Sequence, residues 1–131
     1  MKLTLHGPCT RVDLAEVCGE LDPRLWVAFC RQLELGPSYA ACGDDARALF
    51  CGGFIPTGDA WECWFHAAPD AGRHMLELHR VARLTLADLP QSDPRPVETI
   101  VRTPAGARIA RLFGLRRVIA IDGLELWRGS R

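Results

Sequence analysis

The sequence is short of the features that mark several protein classes. Lys2 is its only lysine, so arginine carries nearly all of the positive charge, and 16 basic residues balance 16 acidic ones to a formal net charge of zero. Proteins that grip nucleic acid or an anionic membrane surface present a basic face, so neither role draws support from the bulk charge. No apolar run is long enough to span a bilayer, and Met1-Lys2-Leu3-Thr4-Leu5-His6 is too short an apolar start for a signal peptide. A cytoplasmic protein, or one packaged from the cytoplasm, is the expectation. The six cysteines (Cys9, Cys18, Cys30, Cys42, Cys51, Cys63) include no C-x-x-C pair, which removes zinc knuckles and dithiol redox motifs and leaves small, reduced core residues as their expected role. There is no internal repeat or low-complexity tract, and Tyr39 is the only tyrosine.

What is present is globular in composition: 131 residues, 48% hydrophobic and 24% charged. That length suits a single domain over residues 1–131, able to bury about two thirds of the surface its unfolded chain exposes. The element that organises the chain runs from Ala60 to Leu89. Ala60 to Ala67 reads as an aromatic-rich strand, Met75 to Leu89 as a helix, and Ala68-Pro69-Asp70-Ala71-Gly72-Arg73-His74 as the turn between them. A turn that opens a helix aims unpaired backbone N–H groups at one point, the physical recipe for an anion site.

The remaining elements follow from local chemistry. Leu3 to Leu5 predicts a short first strand. Thr10-Arg11-Val12-Asp13 has the form of a capping box, and Leu14, Val17, Cys18 and Leu21 then fall at helical spacing. Asp22-Pro23 is a second helix start, carrying Trp26, Phe29, Cys30 and Leu33 toward Gly36-Pro37. Ser38 to Cys42, Ala46 to Ile55 and Ala60 to Ala67 predict an antiparallel meander, with Gly52-Gly53 marking a bulge or a close approach. The helix from Met75 is predicted to bury Met75, Leu78, Ala82, Leu86 and Leu89, widened by Leu76, Val81 and Leu84, with Glu77, Arg80 and Arg83 toward solvent. Val97 to Arg102 is a β-branched strand, Thr103-Pro104 starts a helix that ends at Gly114, and Asp122-Gly123 is a hairpin turn between Val118 to Ile121 and Leu124 to Trp127. The fold class expected is α/β, a mixed α+β sheet in the order β-α-α-β-β-β-α-β-α-β-β.

That order resembles the GNAT superfamily of acyl-CoA N-acyltransferases over nearly the whole chain. Leu3-Thr4-Leu5 followed by Asp13-Leu14 resembles the family's first strand and the acidic start of its first helix. Trp61 to His66, then Pro69-Asp70 and Gly72-Arg73, resemble its fourth strand and pyrophosphate loop. Phe113-Gly114-Leu115 resembles its Leu-Gly-Phe signature after the last helix, and the closing hairpin also matches. The resemblance implies that acetyl-CoA lays its pantetheine arm between Glu62 to Ala67 and Val97 to Arg102, which makes Phe65 and Ala67 candidate contacts. It implies a diphosphate held by the N–H groups of Ala71, Gly72, Arg73 and His74, with the Arg73 side chain adding charge; on the plainer reading Gly72 only turns the chain and Arg73 is solvated. Two departures stand out. The loop lacks the family's second glycine, and Ala110 occupies the position of its common tyrosine acid.

Acetyl transfer to an amine needs a base. Period-2 alternation puts Glu62, Trp64 and His66 on one face of their strand and Trp61, Cys63 and Phe65 on the other, so Glu62 and His66 are the candidate bases. Three functions are compatible with these residues: an N-acetyltransferase acting on a small-molecule or protein amine; a binding or structural protein that kept the fold without the chemistry, similar to the GNAT-like proteins of tailed bacteriophages and their virions; and a toxin-type enzyme acting on aminoacyl-tRNA, which the zero net charge disfavours. Arg108, Arg111, Arg116 and Arg117 are open to a phosphate, an acidic partner or plain solvation. No membrane partner is expected.

Overall fold

The chain runs β1 (Thr4–His6), α1 (Arg11–Cys18), α2 (Pro23–Glu34), β2 (Ser38–Cys42), β3 (Ala48–Pro56), β4 (Trp61–Ala67), a 3-10 turn (Ala71–His74), α3 (Met75–Ala87), β5 (Val97–Val101), α4 (Pro104–Leu112), β6 (Arg116–Ile121) and β7 (Leu124–Gly129). This computed structural model describes residues 2–129. The helix starts lie where the sequence marks them. Thr10 Oγ1 accepts from the Asp13 N–H at 3.1 Å while Asp13 Oδ2 accepts from the Thr10 N–H at 2.9 Å, a complete capping box. Asp22 caps α2 through the Arg24 N–H and Thr103 caps α4 through the Gly106 N–H. α1 is shorter than its apolar spacing implies: Gly19, at φ 65°, ends it and leaves Leu21 outside, because glycine enters that region without a Cβ penalty.

Seven strands form one sheet in the order β1-β2-β3-β4-β5-β7-β6. β1 to β4 pair antiparallel, β5 pairs antiparallel with β7, and β6 and β7 form a hairpin closed by Asp122 at φ 50° and Gly123 at φ 80°, the positive pair that a two-residue turn matched to strand twist requires. Among the described residues the only parallel contact is between β4 and β5. Side chains from the two faces build two cores. One, under α3 and α4, contains Phe50, Phe54, Trp61, Cys63, Leu78, Val81, Val97 and Phe113; the other, under α1 and α2, contains Leu14, Val17, Cys30, Cys42, Cys51 and Trp64. The alternation along β4 is therefore the one read from the sequence. All six cysteines are free thiols, five of them buried and Cys18 half-buried. Among the described residues no helix is long and apolar enough to cross a membrane.

Of the two readings of Gly52-Gly53, the structure selects the close approach. β3 and β4 pair without interruption from Phe50↔Ala67 to Pro56↔Trp61, so there is no bulge on that side, whereas a Cβ on Gly53 would stand 2.5 Å from the backbone oxygen of Pro37 and 2.9 Å from the Trp64 ring. Two expectations change. On α3 the buried stripe is narrower than predicted, with Leu76 90% and Leu84 47% exposed. Glu77 and Arg80, expected in solvent, hold β1 in place: Glu77 Oε2 accepts from the Leu3 N–H at 3.2 Å, and Arg80 donates to Leu3 O at 2.7 Å and to Glu77 at 3.0 Å.

Candidate functional site

The parallel contact between β4 and β5 lasts two rungs, Trp61↔Val97 and Glu62↔Glu98, and then stops. Ala68 N–H donates to Leu49 O at 2.8 Å, one step past the Phe50↔Ala67 pair. In an antiparallel ladder bonded pairs alternate, so His66, Trp64 and Glu62 bond to β3, while the main-chain groups of Ala67, Phe65, Cys63 and Trp61 point toward β5. Two observed bonds agree: Trp61 N–H donates to Pro96 O at 2.8 Å, and Thr99 Oγ1 donates to Cys63 O at 2.7 Å. The Thr99 hydroxyl thus closes the apex of the gap where a backbone rung would otherwise sit. Phe65 and Ala67 lie beyond it, with no β5 rung to match them. Thr99→Val is expected to cost about 1–3 kcal/mol, the penalty for a buried carbonyl left without its donor, read as a lower urea midpoint.

At the open end of the gap the Ala68–His74 turn takes a 3-10 form. Ala71 N–H donates to Ala68 O at 3.0 Å and Arg73 N–H to Asp70 O at 3.3 Å, so these two amides are engaged within the turn. Ala71 is buried, and the Arg73 guanidinium is largely exposed, 3.9 Å from Asp70. A cleft of about 550 Å³ beside the turn is lined by Asp44, Asp45, Asp70, Leu49, Arg73 and His74. Three carboxylates against one guanidinium make that cleft a poor host for an anion on Coulombic grounds.

The two candidate bases share a face but not a location. Glu62 and His66 are four residues apart on a strand, about 13 Å by the usual rise. Glu62 is exposed at the last paired rung, opposite Glu98, whose carboxylate is taken by Arg128 at 2.8 Å. His66 sits at the open end. Its Nε2 meets Gln32 Oε1 at 3.1 Å, its ring lies 4.1 Å from Phe29 and 5.5 Å from Trp64, and burial pushes its pKa down to about 4. The imidazole is therefore neutral at pH 7. With Nε2–H donating to Gln32, Nδ1 carries the free lone pair.

No protein-family model matches this sequence, and no curated protein does. Solved structures do match. A GNAT-superfamily phosphinothricin acetyltransferase from Sinorhizobium meliloti, in complex with acetyl-CoA, aligns at TM-score 0.62 and 11% identity over 99% of this chain and 89% of its own. A mutant spermidine N-acetyltransferase from Vibrio cholerae aligns at 0.64 and 11% over 98% and 94%. A GNAT-family protein from Desulfovibrio desulfuricans aligns at 0.69 and 12%, over 98% of both chains. The chain has the GNAT fold. At these identities the likeness is one of architecture.

Ala110, where the resemblance implies a tyrosine, is fully buried in the core and carries no ionisable group. Tyr39 is no substitute, because its hydroxyl donates to Asp88 at 2.7 Å, and burial together with that carboxylate raises its pKa. The arginines also find local employment. Arg117 pairs with Glu125 at 3.1 Å and Arg111 lies 5.2 Å over the Trp127 ring, both beside a groove of about 630 Å³ between α4 and the β6–β7 hairpin. Residues that sequence reasoning missed are Gln32 and Phe29, which hold His66, and Thr99, which closes the gap. The first two were visible only as an i, i+3 pair on α2, a signal shared by many helices.

Proposed function

We propose that this protein binds acetyl-CoA in the β4–β5 gap and transfers the acetyl group to an amine presented on the α1/α2 face of the sheet. The observation that carries this reading is the ladder that stops after Glu62↔Glu98. The unmatched N–H and C=O groups of Phe65 and Ala67 are suited to the amides of a pantetheine arm. The Ala71–His74 turn and the Arg73 side chain lie at the open end, where the diphosphate would be held. There Gly72 is the candidate amide donor, since the amides of Ala71 and Arg73 are engaged and that of His74 lies inside the 3-10 turn. In the reaction a base on this chain would take the proton of the ammonium acceptor, the freed amine nitrogen would attack the thioester carbonyl, and the N–C bond would form as the C–S bond breaks, CoA leaving as a thiolate that takes a proton from water. Glu62, exposed beside the apex and without an ion-pair partner among the described residues, suits a cationic amine such as the spermidine named for the Vibrio cholerae neighbour. His66 is the second candidate, neutral and with a free Nδ1. Their separation allows only one of them to reach a given reacting centre.

Thermal melts with acetyl-CoA test the binding. A ligand at 100 times its Kd adds about 2.7 kcal/mol, several degrees in a domain of this size. An unchanged Tm at millimolar acetyl-CoA overturns the enzyme reading. If binding is seen, Glu62→Gln and His66→Ala separate the bases: the true base loses about 10²–10⁴ in rate, and full activity in both variants removes both residues from the role. The alternative, a GNAT-fold protein that binds a partner and no CoA, is favoured by the engaged turn amides and by Asp44, Asp45 and Asp70 around the cleft. Its bacteriophage version, a virion or assembly component, has no support from the comparisons; mass spectrometry of particles tests it if the gene is phage-borne.

A further inference from the structure

A second chemical cluster lies away from the β4–β5 gap, at the β1 edge of the sheet. His6 pairs with Ala40 and Thr4 with Cys42, so His6 and Cys42 are diagonal neighbours on one face of adjacent strands. Asp13 reaches the same face from the first turn of α1. His6 Nε2 meets Asp13 Oδ2 at 2.7 Å, and His6 Nδ1 lies 3.7 Å from Cys42 Sγ. One ligand-type atom from each of the three residues lies within 4.8 Å of the other two. Asp13 is itself held by the Thr10 N–H, so the carboxylate is fixed before it fixes the imidazole. The pair it makes with His6 leaves the Nε2 proton facing the carboxylate and the Nδ1 lone pair facing sulfur.

Two chemistries use such a chain of thiol, imidazole and carboxylate. One is a His-activated nucleophilic thiol, and the other is a metal ligand pair oriented by an outer carboxylate. The charges around Cys42 decide between them. Cys42 is buried, the Asp13 carboxylate lies within 4.8 Å of its sulfur, and Glu16 and Asp45 add further negative charge around it. Reactive thiols sit in positive, accessible surroundings, and this one sits in a negative, covered one. A cation is what such a field favours. The spacing agrees, since a tetrahedral zinc ion with Zn–S about 2.3 Å and Zn–N about 2.1 Å separates sulfur and nitrogen by about 3.6 Å. His6, with a side chain 43% exposed, supplies the route from solvent.

We propose that His6 and Cys42 bind a thiophilic divalent cation of the zinc type, through His6 Nδ1 and Cys42 Sγ, with Asp13 as the positioning residue on His6 Nε2 and water in the remaining positions. Binding releases the thiol proton to solvent and involves no change of oxidation state. The set of sulfur, imidazole and open water positions is characteristic of exchangeable rather than closed structural sites.

Cobalt(II), a spectroscopic stand-in for zinc, tests this on the reduced full-length chain under anaerobic conditions. The wild type is expected to take up one equivalent with a near-ultraviolet thiolate-to-cobalt band, displaced by zinc. Cys42→Ser abolishes the band, Cys9→Ser and Cys51→Ser retain it, and His6→Ala weakens cobalt binding at least tenfold. Asp13→Asn weakens it about 10–100-fold with circular dichroism unchanged, a loss that a purely structural role for Asp13 would not give. No band at millimolar cobalt, or a band that survives in Cys42→Ser, overturns the proposal. Should Cys42→Ser fail to fold, the exposed His6→Ala variant decides: unaltered cobalt affinity in it overturns the site equally.

Discussion

Gly36→Ala is expected to leave little folded protein. A Cβ at this position would stand 2.0 Å from Phe54 O, 3.1 Å from Phe54 C and 3.3 Å from Pro56 Cδ. The first two are backbone atoms of β3, which no rotamer change can move aside. Gly36 does not need a positive φ, so the cost is steric and not conformational. Overpacking against side chains costs about 1–3 kcal/mol; against a fixed backbone roughly 3 kcal/mol or more is expected, out of a total stability of about 5–15 kcal/mol. The contact is also a structural registration point. Phe54 N–H donates to Pro37 O at 3.0 Å, and pushing Gly36 away breaks this bond and lifts the end of α2, the helix that carries Phe29 and Gln32 to His66. Denaturant unfolding checks the expectation against Gly58→Ala, where a Cβ meets nothing within 4 Å and the change should stay within about 0.5 kcal/mol. A Gly36→Ala midpoint close to wild type contradicts the crowding argument.

The same residue shows why parts of this protein could be read from the sequence and others could not. Asp22-Pro23, Thr103-Pro104 and Asp122-Gly123 act on their own neighbours, so each predicts a local structure that the fold keeps. The alternation along β4 is also local, and it correctly separates Glu62 and His66 from Cys63 and Phe65. Gly36-Pro37 reads equally well as a helix stop, which hides its second role against a strand 18 residues later. Arg80 reaching Leu3 spans 77 residues, and His66 reaching Gln32 spans 34. Such contacts are fixed by the sheet order, and no window of sequence contains both partners. The 3-10 turn is a subtler case. The composition of Pro69 to His74 marks a turn before a helix, but whether its amides stay free for an anion depends on one hydrogen bond more or less, and here Ala71 and Arg73 spend theirs inside the turn.

That last point bears on how the two ends of the gap relate. At the apex Thr99 takes the place of a backbone rung, which keeps β4 and β5 joined where they begin to part. At the open end Asp44 and Asp45 of the β2–β3 turn and Asp70 line the cleft beside the Ala68–His74 turn, so a diphosphate held there, as the proposed function has it, would meet carboxylates. A pantetheine arm depends on main-chain groups and is indifferent to that charge; a diphosphate is not. On the proposed reading, a pantetheine thioester that lacks the diphosphate and nucleotide is therefore expected to lose less affinity here, relative to acetyl-CoA, than in a GNAT protein with a glycine-rich loop.

Acid is expected to weaken the fold in a window set by His66. Its folded pKa is about 4, lowered by burial from an ordinary 6.5. Above pH 6.5 the ring is neutral in both folded and unfolded chains and costs nothing. As pH falls from 6.5 to 4 the unfolded chain takes up a proton that the folded chain refuses, so stability drops by on the order of 3 kcal/mol, and below pH 4 the loss is complete. The lowered carboxylates act later. Asp13, where hydrogen bonds from Thr10 and His6 outweigh the opposing effect of burial, and Glu77, held down first by Arg80, lose their contributions only below the ordinary carboxylate range. The two windows can therefore be told apart by urea unfolding at pH 7, 5.5 and 4. His66→Gln, a polar replacement of similar reach, is expected to flatten the curve between 6.5 and 4 and leave the lower fall in place; a wild-type stability that is level over that interval contradicts the assignment. The same pKa constrains catalysis. With His66 as the base, kcat/KM is flat above about pH 5 and falls only below it, so a rate that still climbs through pH 6 to 8 must be reporting the deprotonation of the amine acceptor or of another group.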